Sequence, residues 1–120
     1  MKNELDVVLL EYSELLEYSG LTLDGVNKLS LFGDRPINIA ATRGLINEVK
    51  VLLDNGADIN NRGEHGYTPL HNAVEQSNIA TVKFLLEKGA DLEVKNDNMI
   101  TASELALLLE EKEIYNILNN

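Results

Sequence analysis

The side chains able to do acid–base, nucleophilic or metal chemistry are few in this chain. It holds two histidines, His65 and His71, and no cysteine. A Cys/His nucleophilic pair, or a zinc site with the usual ligands, cannot be assembled from that inventory. No G-x-G-x-x-G, no Gly-Lys-Ser/Thr phosphate loop and no H-E-x-x-H occurs. Glu110 and Glu111 are paired carboxylates, but adjacent residues on a helix point in different directions, and an exposed pair has no cause for a shifted pKa. Catalysis is therefore not expected, and no cofactor or metal is implied. The chemistry left to the chain is recognition, and its polar and aromatic side chains must be read from the elements that position them.

Those elements are organised around residues 66–94, GYTPLHNAVEQSNIATVKFLLEKGADLEV. Thr68 can cap a helix with its hydroxyl, and Pro69 fits the first helical position, where no amide donor is needed and φ is already set. Ala73 and Val74 suit close helix packing, while Val82, Leu85 and Leu86 recur at helical spacing on a second helix. Gly89 can end that helix with a positive φ, and Asp91 can bond its own turn backbone. Shifting the chain by 33 residues lays Pro69 on Pro36, Ala73 on Ala40, Lys83 on Lys50, Leu85 on Leu52 and Gly89-Ala90-Asp91 on Gly56-Ala57-Asp58. The same shift forward lays Thr68 on Thr101, Ala73 on Ala106 and Leu85 on Leu118. A fixed period of this length marks a repeat array, in which each unit buries its apolar face against its neighbours.

The run Gly66-Tyr67-Thr68-Pro69-Leu70-His71-Asn72-Ala73, followed by Phe84-Leu85-Leu86 and Gly89-Ala90-Asp91, resembles the ankyrin repeat. The resemblance covers residues 31–120 and implies an all-α solenoid of about three helix-turn-helix repeats, at 31–62, 63–95 and 96–120, the last a capping repeat. It places His71 at the family's structural histidine and gives Asn60 a hydrogen bond bridging successive turns. In the first repeat Arg35 replaces the threonine and Asn38 the histidine of the pattern, which implies a first turn lacking the family's turn-to-turn network. In the third, Met99 replaces the glycine, Ala102 the proline and Glu104 the histidine.

Residues 1–30 lie outside that pattern. Leu5, Val8, Leu9, Tyr12, Leu15 and Leu16 recur at three- and four-residue spacings between acidic residues, so residues 3–18 read as one amphipathic helix. Its expected work is to cover the open side of the first repeat. Residues 19–33 read as a connection.

The absence of cysteine fits a reducing compartment, and the apolar run Val7-Val8-Leu9-Leu10 is too short for a signal peptide or a membrane span. A soluble, cytoplasmic monomer is expected. The formal net charge of −10 disfavours nucleic acid and anionic membranes and favours a basic protein partner, although it also serves solubility.

Ankyrin repeats bind partners with their turn tips and the outward residues of each first helix. Carried over by position, the resemblance implies a surface made of Phe32, Asp34, Thr42 and Arg43 from the first repeat, and Glu64, His65, Tyr67, Glu75 and Gln76 from the second. The third adds Asp97, Asn98, Ile100, Leu108 and Leu109; the last two could equally pack under the final helix. Tyr67 is the expected hot spot. Compact, acidic, cysteine-free ankyrin proteins with an extra N-terminal helix resemble bacterial immunity proteins, which cover the active site of a cognate toxin, often a basic nuclease. The alternative is a general adaptor, or a stoichiometric inhibitor of another cytoplasmic protein.

Overall fold

The hydroxyl of Thr68 accepts from the amide of His71 at 3.2 Å and Pro69 opens the helix behind it, so the second repeat begins where its sequence signals place it. The same start recurs at Thr101, where Glu104 N donates to the threonine hydroxyl at 3.2 Å and the Glu104 carboxylate accepts from the Thr101 backbone at 3.3 Å. Because this cap is exposed, Thr101→Ala is expected to cost about 1 kcal/mol in denaturant unfolding.

The computed structural model of the chain describes residues 3–120. Its helices are α1 (Glu4–Ser13), α2 (Pro36–Arg43), α3 (Ile46–Asp54), α4 (Pro69–Glu75), α5 (Ile79–Glu87), α6 (Ala102–Leu108) and α7 (Lys112–Leu118), with 3₁₀ turns at Leu16–Tyr18 and Glu64–Gly66. No strand occurs among the described residues. The pairs α2/α3, α4/α5 and α6/α7 are the three repeats; α2, α4 and α6 pack in one row, α1 lies on α3, and α5 touches α7. The core runs through the stack and includes Ile37, Ala40, Val49, Leu52, Leu70, Ala73, Val82, Leu85, Ala106 and Ile114. No described helix is long and apolar enough to cross a membrane.

The N-terminal segment departs from a single helix over residues 3–18. Helix α1 stops at Ser13, whose hydroxyl donates to the Leu10 carbonyl at 2.6 Å, and the chain breaks before the 3₁₀ turn. The break lets Tyr18 turn inward: it is buried, and its hydroxyl donates to the Lys28 carbonyl at 2.7 Å. Leu16, expected in the buried stripe, is instead 73 % exposed. The expected covering role is carried by Val8 and Tyr12, both buried where α1 meets α3. Burial pushes the Tyr12 and Tyr18 phenols far above their ordinary range.

The first turn is not left without its network. Asn38 Oδ1 accepts from Arg35 N at 3.1 Å and from Asn61 Nδ2, while Asn38 Nδ2 reaches Asn61 O and Tyr67 O, each at 3.2 Å. The Arg35 guanidinium in turn donates to Asn61 Oδ1 and to the Asn27 carbonyl. Arginine and asparagine thus rebuild, with Asn61, the turn-to-turn linkage that threonine and histidine make one repeat later. Asn60 bridges turns as expected, its Oδ1 accepting from Asp91 N at 2.8 Å.

The glycine position of the second repeat is taken by methionine in the third. Gly66 has φ of +73°, and a Cβ there would lie 2.7 Å from Asp97 N in the following turn. Met99 stands one period later with φ of +63° and is exposed. No inter-repeat turn follows it among the described residues. Ala41 and Val74 are buried between successive repeats, whereas Leu107, their equivalent, is 60 % exposed.

Candidate functional site

The 33-residue period lays the outward residues on a grid. His65 and Asn98 occupy one row of turn tips together with Phe32; Asp34, Tyr67 and Ile100 form the next; Thr42, Glu75 and Leu108, then Arg43, Gln76 and Leu109, end the inner helices. Along these rows lies a groove of about 490 Å³ lined by Glu17, Asp34, Thr42, Glu64, His65, Tyr67, Asn72, Glu75 and Asn98. It brings together half of the residues expected on the binding surface. Glu64, His65, Glu75 and Asn98 are exposed there, and Asp34, Thr42 and Tyr67 half-buried.

The other expected residues lie outside that lining. Phe32 is exposed, Arg43 stacks over the Tyr12 ring at 5.7 Å, and Asp97 holds Arg62 at 2.7 Å. Gln76 is exposed at the end of α4. Ile100 is half-buried, and its carbonyl receives His71 Nε2 at 2.9 Å. Leu108 and Leu109 do not pack under the final helix; both are exposed, as are Met99 and Leu107.

The groove is held from below. Tyr67 packs on His71 with ring centroids 5.4 Å apart. His71 Nε2 faces a carbonyl and must carry the proton, so Nδ1 is the acceptor for Thr68 N at 3.1 Å and Thr68 Oγ1 at 2.8 Å. The ring is therefore neutral, and burial keeps its pKa below 6.5. It fixes the turn that carries Tyr67.

The electrostatics of the groove have one sign. Glu17, Asp34, Glu64 and Glu75 line it with no Lys or Arg, and among the described residues none of the four pairs with a Lys or Arg. Asp34 Oδ1 accepts from Glu64 N at 2.9 Å. Burial, with further repulsion from Glu64 and Glu17, raises the Asp34 pKa, and burial raises that of Tyr67, with Glu75 beside it adding to the effect. His65 contributes a weak counter-charge only when protonated, 3.5 Å from Glu64. No cluster of three potential metal ligands occurs among the described residues.

Sequence reasoning missed Glu17 and Asn72. Glu17 reaches the groove because the chain breaks after Ser13, which no spacing announces. Asn72 did leave a signal: one period away on either side stand Ile39 and Leu105, so an asparagine interrupts a buried apolar row.

The profile described as ankyrin repeats (3 copies) matches residues 8–96, taking in most of α1 as well as the first two repeats. No curated protein matches the chain significantly.

Proposed function

Because this chain belongs to the ankyrin-repeat family, whose members are generally non-catalytic protein–protein interaction modules, we propose that it binds a basic protein segment along the acidic groove. The observation that carries this reading is the unbalanced lining of four carboxylates around Tyr67. A cationic partner would relieve their mutual repulsion and be steered in at long range by the net charge of −10. The exposed side chains of Met99, Leu108 and Leu109 are apolar contacts available beyond the groove. The narrower form of the proposal is an immunity protein covering the active site of a basic toxin nuclease domain; what supports it is the same acidic surface.

The experiment is an affinity capture from lysate of the source organism with the tagged protein, at low and high salt and with Tyr67→Ala and Glu75→Lys in parallel. A single basic protein, captured in stoichiometric amount and released by salt, is expected. Tyr67→Ala should weaken it by about 2 kcal/mol, about thirtyfold, as truncation of a central aromatic anchor does. Several unrelated proteins, or binding indifferent to both substitutions, would overturn the reading. A captured protein with no toxin activity would remove immunity and leave the adaptor or inhibitor.

A further inference from the structure

Asn72 is 8 % exposed and stands where the neighbouring repeats place Ile39 and Leu105. A buried polar side chain in an apolar row costs stability unless its groups are bonded. Its oxygen is, accepting from Asn38 Nδ2 at 3.3 Å. That orientation is fixed, because the Asn38 oxygen is already occupied by two donors, Arg35 N and Asn61 Nδ2, which leaves the Asn38 amide nitrogen to face Asn72. The Asn72 Nδ2 therefore points away from that network and finds no acceptor among the described residues, and Asn72 is one of the residues that line the acidic groove. The Asn38 nitrogen meanwhile has two other acceptors, Asn61 O and Tyr67 O, so the array does not need Asn72 to satisfy it.

Resting on the reading of the groove as the binding face, we infer that the groove receives one arginine side chain of an extended partner segment, with the Asn72 amide donating to a main-chain carbonyl of that segment. The carboxylates of Glu17, Asp34, Glu64 and Glu75 come from four separate elements, the two 3₁₀ turns, the entry to α2 and the end of α4. Acceptors carried by four separate elements suit a guanidinium, which spreads five donors in one plane, better than an ammonium, which is a compact and strongly hydrated charge. Tyr67 adds an aromatic ring on which a guanidinium stacks. A donor beside this cationic site matches the carbonyl that every peptide residue carries.

The test is an ¹⁵N-correlation NMR titration of the full chain with acetyl-Gly-Arg-Gly-amide, and with the lysine and citrulline counterparts. The arginine peptide is expected to shift the Asn72 side-chain amide and the backbone amides of Glu64 and Tyr67 saturably. The lysine peptide should bind about tenfold more weakly and the citrulline peptide not measurably. Asn72→Leu, which restores the apolar row, is expected to keep or raise the unfolding midpoint while weakening the arginine peptide about tenfold. Equal binding of citrulline, shifts scattered away from the groove, or Asn72→Leu binding as the parent does would each overturn the inference. These failures are distinct from failure of the groove itself: a captured partner sensitive to Tyr67→Ala, not displaced by the arginine peptide, leaves the binding face and removes the arginine.

Discussion

Gly66→Met is expected to lower the unfolding free energy by about 3 kcal/mol or more, while the reciprocal Met99→Gly leaves it unchanged or raises it by up to about 1 kcal/mol. The two positions are one period apart and share a left-handed backbone, φ +73° at Gly66 and +63° at Met99. A side chain at either pays the conformational penalty of an L residue with positive φ, about 1–2 kcal/mol. At Gly66 a second cost follows. Its Cβ would stand 2.4 Å from Asp97 Oδ1 and Arg62 Nη2, which can swing aside, but also 2.7 Å from Asp97 N. That nitrogen is backbone and donates to the His65 carbonyl at 3.0 Å, so relief requires the two turns to separate. Among the described residues no inter-repeat turn follows Met99, which is 67 % exposed, so only the penalty of its φ remains to be recovered. Urea unfolding of the two variants measures both numbers. A methionine tolerated at Gly66 within about 0.5 kcal/mol would mean that the turns do not pack as closely as these distances say.

The contrast shows what a period can and cannot encode. The 33-residue repeat carried the helices, their caps at Thr68 and Thr101 and the positions of the surface rows, because each depends on neighbours within one unit or one period away. What it did not carry depends on departures from the period. Arg35 and Asn38 looked like losses of the turn-to-turn network, yet with Asn61, 23 residues from Asn38, they restore it. Their side chains are longer or differently forked than the pattern's, and nothing in local spacing pairs them with Asn61. The end of α1 at Ser13 was hidden for a similar reason. The apolar spacing continues through Leu15 and Leu16, but burial of Tyr18 in the packed fold outweighs the continuation of a helix. Glu17 entered the groove by that break. The groove's remaining unexpected member, Asn72, was legible, since a polar residue in an apolar row is visible once the repeats are aligned.

The second large effect concerns the ring beneath Tyr67. His71→Ala is expected to cost about 3 kcal/mol, because it leaves the Thr68 amide and the Ile100 carbonyl buried or half-buried without the partners they have at 3.1 and 2.9 Å, each loss amounting to about 1–3 kcal/mol. It should also change how stability depends on pH. Burial holds the folded-state pKa of His71 below the 6.5 of a free histidine. As pH falls below 6.5 the unfolded chain takes up a proton that the folded protein refuses, so the contribution of His71, complete above 6.5, is lost progressively toward its folded pKa. Asp34 acts with the opposite sign: its folded pKa is raised, so the folded protein takes up a proton before the unfolded chain does and gains stability as pH falls toward the carboxylate range. The two trends oppose each other in the parent, and their separation requires a difference. Urea midpoints of the parent and of His71→Ala, followed from about pH 8 to about pH 5, should converge as the pH drops, because the alanine variant has no buried ring to protonate. Parallel curves would mean that the imidazole titrates alike in both states, and the neutral ring that the Ile100 carbonyl and the Thr68 amide require would then not be what holds Tyr67 in the groove.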